Sequence, residues 1–479
     1  MRARRQPRAS RAALLVVSLL AVGSAPRSAW ADQDDDAERI PSSAAGIYSP
    51  IERTFDKQVP LPGGPRGGRP DVSLPADDGP VLWQDLKERL RFADPFFRDL
   101  RLAAYVRTQD LSRENAEGPA SKAWAGGTAL ALLTGFHDGW LQLELAGATS
   151  QPLWAPEGEG GTLLLTDDQA EVSQLAIANA RLRGFGQDLV VGRQLIKTPY
   201  LNPQDNRMLP NAFEGVALMR ERDETQTYDY GFGYLWGFKA RDSSRFVPFS
   251  EALGVSEDRG IAVGGAKVMP TKGLTIGAVD YLVPDVLNTT FAEVDWIIDA
   301  APMQFRVSAN YTDQRTVGSD LMDVAPYSTN QFSARLAASY DYATVLVAAS
   351  QNGDAADLQS PFGSFPAYTV LDQLNFNQAG QETLVIGAAY DLSHVLLDGL
   401  KVQTRYGWSW GAIPSDVGDP ISARQNEFNV ELEYLPTFGP LKNIYVQLFY
   451  SAVEFPNNPP GETQQPQARG VITYLIPLL

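Results

Sequence analysis

The sequence predicts an all-β chain, a transmembrane antiparallel β-barrel of about 18 strands, on three observations. Short runs recur in which every second residue is apolar, a secretory amino terminus precedes them, and no other apolar run approaches the length of a membrane-spanning helix. Gly399 to Trp410 shows the alternation best: Leu400, Val402, Thr404, Tyr406 and Trp408 are interleaved with Lys401, Gln403, Arg405 and Ser409. From Gln425 to Leu435, Phe428, Val430, Leu432 and Tyr434 are interleaved with Glu427, Asn429, Glu431 and Glu433. Successive side chains of a strand point to opposite faces, so one face suits lipid while the other carries ions that need water. A soluble sandwich would turn the apolar face inward.

In chain order, Arg2, Arg4, Arg5, Arg8 and Arg11 precede an apolar stretch from Ala12 to Val22 and an A-x-A site at Ala29, Trp30 and Ala31. This predicts a signal peptide over Met1 to Ala31, cut before Asp32; its apolar core is about half the roughly 20 residues that a spanning helix needs. Residues 32–97 form a leader rich in Pro, Gly and carboxylates, with Asp34, Asp35 and Asp36 adjacent. It has too few large apolar groups to offset the entropy of ordering, so it reads as mostly disordered. Its one helical signal is Val81 to Leu90, where Leu82, Leu86 and Leu90 recur at four-residue spacing beside Trp83. Strand candidates then run from residue 99 to residue 478, within a barrel domain of residues 98–479. Short links such as Asp138-Gly139, Gly184 to Gln187 and Ala300-Ala301 alternate with long polar ones such as Pro152 to Ala170 and Gly353 to Ala379. Periplasmic turns and external loops would alternate in this way. Aromatic rings cluster toward strand ends, as in Tyr228, Tyr230, Tyr234 and Trp236, where interfacial girdles place them.

Composition narrows the function. The formal net charge is −17, and losing the signal's arginines makes it more negative, so nucleic acid is excluded as a partner. The absence of cysteine excludes thiolate metal sites, cysteine nucleophiles and disulfides, and nothing in the sequence asks for a cofactor. A mean hydropathy of −0.20 would suit a soluble protein, but it is also expected when half of each strand is polar. The two histidines, His137 and His394, each lie beside a turn and read as solvated turn residues.

Parity assigns the lumen. Arg101, Tyr105 and Arg107 face inward if Leu100, Leu102, Ala104 and Val106 face lipid. Arg306, Ser308 and Asn310 are inward opposite Phe305, Val307 and Ala309, and Arg335 and Ser339 are inward opposite Phe332, Leu336 and Tyr340. Lys401 and Arg405 complete the basic set; Glu144, Glu293, Asp295, Glu427, Glu431 and Glu433 are the acidic inward candidates. Burying unpaired charge costs several kcal/mol, so an interior this ionic must be wet. A wall of this many strands is also too wide for side chains to fill. A water-filled channel follows, although any one of these charges could instead stiffen the wall through a salt bridge.

Lys197 to Asn211 breaks the alternation and carries Pro199, Pro203 and Pro210, so it reads as a shaped loop between two strands. Here the chain resembles the OprD-type outer-membrane porins. The matching residues are Gly192, Arg193, Thr198, Pro199, Arg207, Leu209, Pro210, Phe213 and Gly215, with further similarity over Asp372 to Asp391, Gly399 to Arg405, and Gln425, Asn426, Glu427 and Phe428. The resemblance implies a loop folded into the barrel as a constriction, here with Thr198, Pro199, Asp205, Arg207 and Pro210. It also implies an arginine ladder that guides small anionic or zwitterionic solutes, for which Arg101, Arg107, Arg193, Arg207 and Arg405 are the candidates. A guanidinium offers paired donors to a carboxylate without losing its charge. The sequence departs from the family pattern where Ile444 to Ser451 carries no basic residue and Glu431 and Glu433 occupy the neighbouring strand.

The leading reading is a passive, solute-selective porin of the outer membrane in which charges steer solutes and the loop limits their size. Amino acids or small carboxylates are the favoured solutes, with a general or cation-leaning pore, or a plugged structural or adhesive barrel, as alternatives. A barrel enzyme needs a nucleophile beside a base, and the only adjacent pair, Ser393 and His394, lies in a turn segment. The expected partners are outer-membrane lipid, small hydrophilic solutes and the barrel-assembly machinery, toward which Leu479 presents an atypical terminal residue. A homotrimer stays open, because a protomer interface would use the same apolar face as lipid.

Overall fold

Each alternating segment becomes a strand. The computed structural model describes residues 46–48, 81–115, 118–220, 227–319, 321–417, 423–436, 441, 443–456 and 464–479; the expected signal peptide and most of the leader lie outside them. A three-residue strand, β1 (Gly46–Tyr48), comes first, then two short helices, α1 (Gln84–Leu90) and α2 (Pro95–Arg98). Eighteen long strands follow: β2 (Arg101–Arg113), β3 (Ser121–Leu133), β4 (Leu141–Trp154), β5 (Val172–Gly184), β6 (Gln187–Lys197), β7 (Ala212–Arg220), β8 (Tyr228–Lys239), β9 (Ile261–Thr271), β10 (Leu274–Val283), β11 (Leu287–Ala300), β12 (Met303–Thr316), β13 (Ser328–Tyr340), β14 (Ala343–Asn352), β15 (Glu382–Asp391), β16 (Leu400–Trp410), β17 (Gln425–Tyr434), β18 (Ile444–Glu454) and β19 (Gln464–Pro477). Each pairs antiparallel with the next, and β19 returns to β2 with Val471 opposite Gln109, so the barrel closes and leaves no edge.

Burial follows parity. Val106, Leu130, Leu145, Phe232, Val294, Val307, Val345, Ile386 and Leu448 are exposed on the outer face, while Gln109, Glu144, Ser308, Ser333, Gln447 and Thr473 are buried on the inner one. Links at one end are as short as residues 185–186, 272–273, 301–302 and 341–342; those at the other include residues 155–171, 240–260 and 353–381. The short-turn end also carries the start of β2 and the end of β19, and it is the periplasmic end.

At that end the helical signal is realised as α1, and α2 follows unforeseen. Asp94 caps α2 by accepting from the Phe96 N–H at 2.9 Å, with Pro95 at the first helical position, where its missing donor costs nothing. Leu82 N–H donates to the Pro477 carbonyl and Trp83 N–H to that of Leu478, both at 2.9 Å, which seats this segment on the end of the last strand.

Candidate functional site: a constriction built by two inward loops

The first inward loop begins where the wall releases β6. Gly192 has φ 117°, and a Cβ there would lie 2.3 Å from the Ala178 oxygen, so the position admits only glycine. The last pairs of β6 are Arg193 with Ala178 and Gln194 with Phe213. Beyond them β6 is paired only with β1, in parallel, over Leu195 to Lys197. Residues 198–211 then run across the lumen. Thr198 closes the first turn, its hydroxyl accepting from Leu201 N–H at 3.1 Å, and the Tyr200 hydroxyl reaches Thr312 on β12 at 3.0 Å. On the other side Arg107 of β2 holds the tip: its Nη1 lies 2.7 Å from Asp205 Oδ1 and donates to the carbonyls of Arg207 (2.9 Å) and Met208 (3.3 Å). Gln109 adds a bond to the Asn206 carbonyl at 3.1 Å, and Arg207 Nε donates to the Thr162 carbonyl at 2.9 Å. At the loop's end the Lys239 ammonium lies 3.4 Å from the Pro210 carbonyl. Thr198, Pro199, Asp205, Arg207 and Pro210 therefore all lie on a loop inside the barrel.

A second loop, residues 353–381, also enters, and the sequence reading does not foresee it. It meets inward side chains in succession: its Gln359 and Pro366 carbonyls accept from Gln314 and Asn310, its Tyr368 N–H donates to Ser333, the Thr369 hydroxyl bonds Ser350, and the Gln373 side-chain amide donates to Ser451. Asn202 of the first loop and Ser364 of the second bind each other, Ser364 N–H donating to Asn202 Oδ1 at 3.1 Å. Around this junction Tyr200, Phe213, Phe238, Phe249, Phe291, Phe362 and Phe365 form one buried apolar cluster with strands β7, β8, β10 and β11. That cluster fills one side of the lumen; the polar tips of both loops lie against β2 and β19.

At those tips arginines gather. Arg207 is surrounded by Arg113, Arg241 and Arg469 with Asp372, and burial followed by the like charges of Arg241 and Arg469 lowers the pKa of its guanidinium well below the ordinary value. Arg469 pairs with Asp372 at 3.0 Å, while its buried Nε meets no acceptor among the described residues. Arg113, Arg241 and Arg469 escape the sequence reading. Arg113 lies beyond residues 100–107, over which the sequence assigns parity, Arg241 lies in a loop, and the inner face of β19 mixes Arg469 with apolar Val471 and Leu475. Alternation along the last strand is the one signal available for Arg469.

The remaining candidates divide. Arg101 and Lys401 share inner-face parity with Arg107 and Arg405 near the periplasmic mouth. Arg405 Nη2 reaches Gln403 Oε1 at 3.4 Å. Arg306 and Arg335 face inward but crowd on Asp295, at 2.8 and 3.8 Å, and Arg335 stacks under Tyr368 at 4.5 Å. Arg193 is a correction: directly opposed residues share a face, and Arg193 opposes Glu214, which accepts from the indole of the exposed Trp236 at 3.3 Å. Its ion pair with Glu214, at 3.1 Å, lies on the outer wall. Glu427 is a second correction, because it is inward but wholly covered by the second loop. Glu431 accepts from the amides of Gln403 and Gln447, and Glu433 accepts from the Tyr445 hydroxyl at 2.7 Å. Ser393 and His394 form no dyad: the serine hydroxyl accepts from Gly399 N–H, and the imidazole stacks on Tyr342 at 3.7 Å.

Residues 94–478 match the family described as outer membrane porin, OprD family. Among solved structures the chain is similar to Pseudomonas aeruginosa OccK9 (OpdG), with TM-score 0.72 and 20% identity over 80% of this chain and 100% of that one. It is similar as well to a BenF-like porin from Pseudomonas fluorescens Pf-5, with TM-score 0.71 and 19% identity over 80% of this chain and 100% of that one. For P. aeruginosa OpdK with vanillate the TM-score is 0.69, with 20% identity over 79% and 99%. No curated protein matches the chain by sequence.

Proposed function

The chain belongs to the OprD family of outer membrane porins, and from that premise we propose that its channel prefers small carboxylates, amino acids among them, over cations and neutral solutes. The outer-membrane channel for small solutes comes with the family; the preference rests on this chain's own residues. The observation that carries it is the charge at the loop tips: Arg107, Arg113, Arg207, Arg241 and Arg469 stand against Asp205 and Asp372. Among the described residues, guanidiniums outnumber the carboxylates that meet them at the tips. A solute carboxylate reaching the tips would relieve the like-charge repulsion on Arg207. The vanillate bound to OpdK is itself a carboxylate, which agrees with this reading although the likeness is one of fold.

The test is single-channel recording of the refolded protein in a planar bilayer under a KCl gradient, with benzoate or glutamate then added. Anion selectivity with concentration-dependent block is the expected result, and Arg469→Gln should weaken both. Cation selectivity without block would leave the porin standing and remove the carboxylate preference.

A further inference from the structure

A buried carboxylate on the wall of the barrel is spent on a loop rather than on the lumen. Glu427 of β17 is 0% exposed and accepts three backbone N–H groups: Asp372 and Gln373 at 3.0 Å on Oε1, and Leu374 at 2.7 Å on Oε2. The Leu371 N–H to Leu374 carbonyl bond, at 3.0 Å, closes the turn that aims these amides at one point. Three aligned amides make a donor-rich concavity that the two oxygens of one carboxyl group fill. The opposite residue on β16 is Gly407, where a Cβ would lie 2.8 Å from Leu371 Cδ1, so the wall is hollowed where the loop lands. Beside the contact, Gln373 Nε2 donates to Ser451 Oγ at 2.8 Å and to the Gln465 carbonyl at 3.0 Å, and Asp372 lies against Arg469 and Gln467.

We propose that Glu427 is a latch that holds the second inward loop across the lumen and, by fixing Asp372 against Arg469, sets both the bore and the charge of the constriction. The loop is rooted at its carboxyl side by Asn352 Nδ2, which donates to the carbonyls of Phe376 and Gln378 at 3.0 and 2.7 Å. Residues 371–374 are therefore the part that Glu427 commits. A neutral glutamine in its place keeps one oxygen but turns an NH2 group toward the amides, so donor meets donor. Released, the tip leaves the wall and takes the Asp372 charge away from Arg469. Glu427 is a positioning residue in this scheme and touches no solute.

The experiment compares wild type, Glu427→Gln and Asp372→Asn, each shown to be folded by heat-modifiable migration. Glu427→Gln should raise single-channel conductance, add flicker between levels, and shift the reversal potential toward anions. Asp372→Asn, which leaves the latch intact, should shift the reversal potential without raising conductance. Because the chain has no cysteine, Leu371→Cys supplies a single thiol whose maleimide labelling reports release directly: slow with Glu427 present, fast with Glu427→Gln. Should Glu427→Gln fail to fold, Leu374→Pro removes the donor of the shortest contact from the loop side and should reproduce its phenotype. A folded Glu427→Gln or Leu374→Pro protein with wild-type conductance and slow labelling overturns the proposal. The carboxylate preference fails separately, through the selectivity of the wild type, and leaves the conductance and labelling results to decide the latch.

Discussion

Removing the Arg107 side chain should loosen the first inward loop by an amount that can be worked out. Its partner Asp205 is 11% exposed and Arg107 12%, so this is a pair inside the lumen and not a surface pair worth less than about 1 kcal/mol. Deleting one member of such a pair costs about 3–5 kcal/mol, here because the Asp205 carboxylate and the carbonyls of Arg207 and Met208 lose their shared donor. At about 1.4 kcal/mol per tenfold, the ratio of docked to undocked loop falls at least about a hundredfold. The bonds of Gln109 to Asn206 and of Arg207 to Thr162 remain, so the loop samples open states without being lost. Single-channel recording of Arg107→Ala should therefore show frequent excursions to a larger conductance, with Arg107→Lys intermediate because a point charge replaces the fork. A steady channel of wild-type conductance from folded Arg107→Ala would refute the claim that this guanidinium anchors the constriction.

Two further outcomes test the assignment of faces. Arg193→Ala should leave the reversal potential in a salt gradient unchanged, because the guanidinium lies on the outer wall against Glu214; a shift toward cations would return it to the lumen. Val307→Arg places a charge on the lipid face directly opposite the exposed Trp296, at a cost of up to roughly 2–4 kcal/mol. Urea unfolding in vesicles, followed by tryptophan fluorescence against Val307→Leu, measures it, and an undiminished stability would contradict the outward orientation of β12.

What the sequence made legible was local. A period of two is carried by neighbouring residues, so it places Arg306, Arg335 and Glu431 on the inner face and yields about eighteen strands between residues 99 and 478. Parity alone also groups Arg193 with Leu189 and Val191 on the outside; following family resemblance against parity is what misplaced it. The second inward loop has no period to read. Its docking depends on a carboxylate some fifty residues later in the chain and on a glycine across the strand pair, and no run of sequence displays that coincidence. Glu427 shows the limit from the other direction: its face was legible, but what covers that face was not.

The net charge of the chain says little about what the channel admits, because the charges are not spread evenly. Glu382, Glu454 and Asp313 have outward parity near the external ends of their strands, where water and screening salt surround them. The arginines gather at the loop tips, across the lumen from the apolar cluster. That cluster offers a hydrated solute little polar contact, whereas the wall of β2 and β19 carries Arg107, Arg113 and Arg469. Arg207 and Arg469 are themselves buried, and a charge in such low-dielectric surroundings acts on its neighbours more strongly than one at the rim. On these terms the net charge of an acidic chain does not fix the charge of its constriction, which depends on the few groups gathered there: Arg107, Arg113, Arg207, Arg241 and Arg469 with Asp205 and Asp372.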